Sequence, residues 1–82
     1  MELEQELKNV FSQTFNISQE KISLKTRQVD LAEWDSLGQL RLIMEIETVF
    51  NVSFLIDEIA TLDSFEKILY NIQTKQKVET NN

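Results

Sequence analysis

Leu3, Leu7, Val10, Phe11 and Phe15 fall at i, i+4, i+7, i+8 and i+12, one face of an amphipathic helix that opens the chain. Residues 16–35 lose this period but keep Ile17, Ile22, Leu24, Val29, Leu31 and Trp34. That is too many apolar groups for a free linker, so the long loop is expected to pack across the helices. A second helix is predicted from Ser36 to Phe50, then a short extended piece through Phe54 and a turn or two near Asp57 to Ala60. Phe65, Ile68, Leu69 and Ile72 repeat at i, i+3, i+4 and i+7 and predict a last helix, with Asp63 and Glu66 at capping-box spacing before it. From Lys75 the chain turns polar. The pattern describes one small all-α domain over residues 1–75, a four-helix bundle with a long first loop and a short third helix, and a flexible tail over 76–82.

The second helix carries more apolar residues than one face needs. Leu42, Ile43, Ile46, Val49 and Phe50 form one stripe; Leu37, Leu40 and Met44 form another, centred roughly 140° away at 100° per residue. A helix with two stripes is either buried centrally or turns its second face to a partner. Ser36 and Glu47 lie on the margin of that second stripe.

Composition narrows the chemistry. At 82 residues and 41% hydrophobic content, one soluble domain is near the size at which core burial alone sustains a fold. The chain has no Cys and no His, which excludes a Cys/His nucleophile pair, a Ser-His-Asp triad, a disulfide framework and a zinc site of the usual ligands. Lack of Cys suits a reducing compartment, and no apolar run reaches the length of a signal peptide or membrane span, so the expected location is the cytoplasm. Asn16-Ile17-Ser18 and Asn51-Val52-Ser53 then read as loop residues rather than glycosylation acceptors.

The net charge of −6 is unevenly spread. Residues 1–29 balance four acids with four bases, residues 30–66 hold nine acids against Arg41 alone, and residues 67–82 contribute +2. A negative field over the middle of the chain repels nucleic acid and anionic lipid and favours basic partner surfaces.

Asp35-Ser36-Leu37 stands where the loop ends and the second helix begins. Ser36 and Gln39 have the S-x-x-Q spacing of a capping box, and Asp35 is itself a good N-cap residue, so the tripeptide can simply start a helix. The same placement puts free backbone N–H groups and the positive end of the helix dipole beside the serine, which favours a phosphate ester on its oxygen.

The segment Glu33-Trp34-Asp35-Ser36-Leu37-Gly38-Gln39-Leu40, followed by Leu42-Ile43-Met44-Glu45-Ile46-Glu47-Thr48-Val49-Phe50, closely resembles acyl carrier proteins. The resemblance covers essentially the whole domain and implies a four-helix bundle of acyl-carrier type. It also implies a carrier rather than an enzyme. The serine, here Ser36, would receive 4′-phosphopantetheine from coenzyme A through a separate phosphopantetheinyl transferase. The arm would hold an acyl or aminoacyl group as a thioester, the cofactor supplying the thiol that the chain lacks. Asp35, Leu37, Leu40, Met44, Glu47, Asp57, Glu58 and Ile59 would meet the transferase and the loading and accepting enzymes. Affinity at such a face should be modest, as each partner must release a monomeric carrier to the next. Ile46 and Ile59 are candidates to line an acyl pocket between the second and third helices.

Some positions depart from the housekeeping fatty-acid carriers, which usually place acids where this chain has Gly38 and Arg41. Gly38 should loosen the first turn by about 0.5–1 kcal/mol relative to Ala. Trp34, in place of a small residue, resembles discrete carriers of specialised bacterial pathways such as polyketide-type assembly; it reads equally as a loop residue packed over the core. A peptidyl carrier would more often show glycines before the serine. Two readings from other classes stand beside the carrier: an unmodified interaction module using Leu37, Leu40 and Met44, and an enzyme using paired carboxylates, Asp35 with Glu33 or Asp57 with Glu58. The last is disfavoured because these are adjacent surface acids with no evident cleft.

Overall fold

The computed structural model describes residues 2–80, with side chains through Gln76. Four α-helices occur among the described residues: α1 (Glu2–Phe15), α2 (Ser36–Phe50), α3 (Ile56–Ile59) and α4 (Phe65–Thr80), with 3-10 turns at Gln19–Lys21 and Gln28–Asp30 in the long loop. The predicted bounds of α2 hold, and α3 lies one residue earlier than its pattern suggested. The chain expected to leave the domain at residue 76 continues as helical backbone to Thr80. Asn81, Asn82 and the side chains from residue 77, most of the expected tail, lie outside the described residues.

Each long helix contributes its periodic face to one core. Leu7 and Phe11 of α1, Leu42 and Ile46 of α2, and Phe65, Ile68 and Ile72 of α4 are fully buried. Phe11 is central, its ring 5.0 Å from Trp34 in an edge contact and 5.1 Å from Phe65. Fully burying such side chains contributes roughly 1.5–3 kcal/mol each, the main term opposing chain entropy. Val49 departs from the predicted inner stripe and is half exposed. It stands about 60° from the centre of that stripe, at its margin, where the bundle no longer covers it.

With one Gly and no Pro in the chain, α1 and α2 are each stopped by an asparagine. Asn16 and Asn51 both take φ 55°, the left-handed conformation that Asn tolerates because its side chain bonds locally. Those two residues of the Asn-X-Ser triplets are therefore helix ends. Past Asn16, the Ser12 hydroxyl donates to the Ile17 carbonyl at 2.6 Å and holds the exit of α1.

The long loop packs as expected, but not uniformly. Ile22 and Trp34 are buried, whereas Val29 is exposed and Leu24 partly so. Buried Thr26 accepts from the Ser23 N–H at 2.8 Å. Next to it the loop pairs with the segment entering α4: the Gln28 N–H donates to the Asp63 carbonyl at 2.8 Å and the Phe65 N–H to the Thr26 carbonyl at 2.9 Å. The residue capping α4 is Ser64, whose Oγ accepts from the Lys67 N–H at 3.1 Å. This corrects the capping box expected from Asp63 and Glu66: Asp63 instead pairs with the Lys67 ammonium at 2.9 Å. Lys75, where the sequence turns polar, is fixed by Glu58 at 3.0 Å and stands over the Phe54 ring, tying α4 to α3. No helix among the described residues is long and apolar enough to cross a membrane.

Candidate functional site

Ser36 is the first residue of α2 and is exposed. The cap is Asp35, whose Oδ1 accepts from the Gly38 N–H at 2.7 Å while its carbonyl accepts from the Gln39 N–H at 2.8 Å. The capping box that Ser36 and Gln39 allowed by spacing does not form. With Asp35 serving the third and fourth N–H groups, those of Ser36 and Leu37 have no partner among the described residues. The serine hydroxyl thus stands in solvent beside unspent backbone donors at the positive end of a 15-residue helix.

Gln39 turns inward and is nearly buried. Its Oε1 accepts from the Trp34 indole N–H at 2.6 Å, and its Nε2 donates to the carbonyls of Ile59 and Leu62, each at 3.0 Å. One amide joins the loop before the serine, the first turn of α2 and the end of α3. Trp34 itself is 1% exposed and packs against Phe11 and Phe15, so it is a core residue and not a partner contact. Periodicity could not reveal this bridge, because a Trp before a motif and a Gln within it carry no spacing signal.

Gly38 and Arg41 have structural reasons. A Cβ on Gly38 would overlap the Glu33 carbonyl oxygen and press on the Phe15 ring at 3.0 Å. The glycine therefore lets the turn before Ser36 close against α2; it is a close approach rather than a loosened helix. Arg41 Nη2 donates to the Thr14 carbonyl at 3.1 Å. No base stands in the last turn of α1, and Arg41 supplies from α2 the positive charge that this end favours.

The second stripe of α2 is exposed: Leu37 67%, Leu40 54% and Met44 67%. From the neighbouring turn, Leu55 and Ile56 are also exposed, while Ile59 is half-buried against the core. The sequence singled out Ile59 and missed Ile56, since a four-residue helix has no period to read. The acids differ in availability. Asp57 is exposed, but the Glu47 carboxylate accepts from the Phe54 N–H at 3.0 Å and holds the turn after α2. Glu58 accepts from the Leu55 N–H at 2.8 Å and from Lys75; the backbone bond first, then the ammonium, keep its carboxyl below the ordinary range. Asp63 is lowered by Lys67, and Asp30 by the N–H and then the guanidinium of Arg27. Of the carboxylate pairs weighed for acid–base work, Asp35 caps the helix and Glu58 pairs with Lys75, which leaves Glu33 and Asp57 each beside a carboxylate already engaged in the fold.

Two open grooves flank Ser36. One, about 900 Å³, lies between the loop and the start of α4 and is lined by Leu24, Val29, Trp34, Ser36 and Lys67 among others. The other, about 410 Å³, runs past Phe15, Glu33, Leu37 and Arg41. Neither is lined by Ile46 or Ile59; Ile46 is fully buried.

This arrangement, a serine opening α2 in a bundle with a long first loop and a one-turn α3, is the acyl-carrier fold. The solution NMR structure of a holo acyl carrier protein from Geobacter metallireducens superposes with a TM-score of 0.87 over 100% of this chain and 94% of that one, at 22% sequence identity. No protein-family model matches the chain, and no curated protein matches it in sequence.

Proposed function

We propose that the protein is an acyl carrier that bears 4′-phosphopantetheine on Ser36 and presents an acyl or aminoacyl group to partner enzymes of a specialised biosynthetic pathway. The observation that carries this reading is the start of α2: an exposed hydroxyl, two unpartnered N–H groups and a dipole of the right sign, in a fold shared with a holo acyl carrier protein. The residues fit a phosphodiester. Asp35 leaves the first two amides free, and Gly38 removes the side chain that would stand between the helix and the preceding turn. When attached, the arm supplies the thiol, and with it the thioester chemistry, that a chain without Cys cannot perform. The chain's own part is presentation: Asp35 orders the attachment residue, and exposed Leu37, Leu40 and Met44 offer an apolar face beside it. Tethering raises the effective concentration of cargo at each docked enzyme.

The chain acts as substrate of the transferase and as a vehicle for its partners, not as an enzyme. Intact-mass measurement after incubation with coenzyme A, magnesium and a broad-specificity phosphopantetheinyl transferase tests the reading, beside Ser36→Ala. A gain of one phosphopantetheine unit in the first and none in the second is expected. No gain in either folded protein would favour an unmodified interaction module built on the same exposed stripe.

A further inference from the structure

We propose that Trp34 and Gln39 close the seam between α2 and α3, so that this carrier keeps its cargo outside the bundle and serves short or polar acyl and aminoacyl groups rather than long apolar chains. The inference rests on the carrier reading of Ser36 and adds the class of cargo.

An apolar chain tethered at Ser36 gains from leaving water, and the pocket candidates Ile46 and Ile59 lie inward of it, Ile46 ten residues and so about 15 Å further along α2. Gln39 stands in that path. Its carbonyl oxygen is held by the Trp34 indole at 2.6 Å and its amide nitrogen by the Ile59 and Leu62 carbonyls at 3.0 Å each, so both ends of the amide are committed. Displacing it would strand the indole N–H and the Leu62 carbonyl, neither of which has another partner among the described residues. Unsatisfied groups of that kind oppose opening. Trp34 fills the space beneath, 1% exposed, with its ring against Phe11 and Phe15. Outside the seam the way is open, because both grooves beside Ser36 lie along the loop and the neighbouring helix ends. Short or polar cargo loses little by staying in water there. A long apolar chain would find only the open groove past Leu24 and Val29 there, and no enclosed shelter.

The test uses the absence of Cys. A Ser36→Cys protein carries a single thiol, which is alkylated with N-octyl iodoacetamide or, as control, with iodoacetamide. Amide shifts are then compared by ¹H–¹⁵N NMR. With Gln39 in place, the octyl adduct is expected to leave Ile46 and Ile59 where the control has them, with changes confined to the surroundings of the attachment point. With Gln39→Ala added, both amides should move. If that variant does not fold, Trp34→Phe, which removes the indole donor, takes its place. Movement of both amides in the protein that keeps Gln39 overturns the proposal, and so does their silence in a folded variant lacking the bridge. The adduct needs no transferase, so failure of the carrier reading at Ser36 and failure of the seam are read separately.

Discussion

Two helices of this domain begin on a serine followed by a large apolar residue, Ser36-Leu37 at α2 and Ser64-Phe65 at α4, and they are used in opposite ways. At α4 the serine hydroxyl caps the helix, the next N–H is taken by the Thr26 carbonyl, and Phe65 is fully buried. At α2 the cap is moved one residue back to Asp35, the serine hydroxyl is free, the first two N–H groups are unpartnered and Leu37 is 67% exposed. Similar residues thus give one helix start with its serine and first N–H engaged, and one with both free. What separates them is the loop. Residues 26–28 run against the start of α4: the Thr26 carbonyl takes the Phe65 N–H, and the Gln28 N–H donates to the Asp63 carbonyl just before the helix. The turn before α2 instead packs its Glu33 carbonyl against Gly38 and takes neither of the first two N–H groups.

The contrast can be broken first at the apolar residues. Phe65→Ala should cost about 3–5 kcal/mol, because a fully buried ring leaves a cavity. Leu37→Ala should stay within about 0.5 kcal/mol, as surface changes do. Urea midpoints of the two variants measure the difference, and equal losses would mean that Leu37 is packed after all. A smaller separation is expected at the serines. Ser64→Ala removes a cap and should lower stability by about 1 kcal/mol, whereas Ser36→Ala removes no intramolecular bond and should leave the thermal midpoint unchanged.

The smallest effect is electrostatic and concerns the tie between α3 and α4. Glu58 has a folded-state pKa lowered by the Leu55 N–H and by Lys75. Its contribution is therefore present above the ordinary carboxylate range and is lost as pH falls through the depressed value. Glu58→Gln should flatten the acid side of the stability–pH curve slightly and leave its shape near neutrality alone. An unchanged acid limb would show that the Lys75 pair contributes nothing. Such part-exposed pairs are worth little in water, so a modest change is the expected one.

Much of this was legible in the sequence, and the reasons are specific. Long helices announce themselves through Leu7, Phe11, Leu42, Ile46, Ile68 and Ile72, whose spacing is the core itself. The double stripe on α2 is real: Leu42 and Ile46 are buried and Leu37 and Met44 exposed. The start of α2 at Ser36, with Asp35 as its cap, was readable from the tripeptide. Less legible were features set by tertiary partners. Spacing offered Ser36 and Gln39 as a capping pair, but Gln39 finds better bonds in Trp34 and α3. Asp63 was offered as the cap of α4, but the pairing of loop and helix start places Ser64 there. Gly38 read as a weak point in the helix because the Glu33 carbonyl above it is invisible in sequence. Ile56 and Ile59 differ in burial within a single turn, too short for any period to show.

The most direct measurement of the contrast between the two starts is to map the attachment. The protein is incubated with coenzyme A, magnesium and a phosphopantetheinyl transferase, digested, and its peptides fragmented in a mass spectrometer. One arm on Ser36 and none on Ser64 is the predicted result. An arm on Ser64, or none anywhere in a folded protein, would contradict the account.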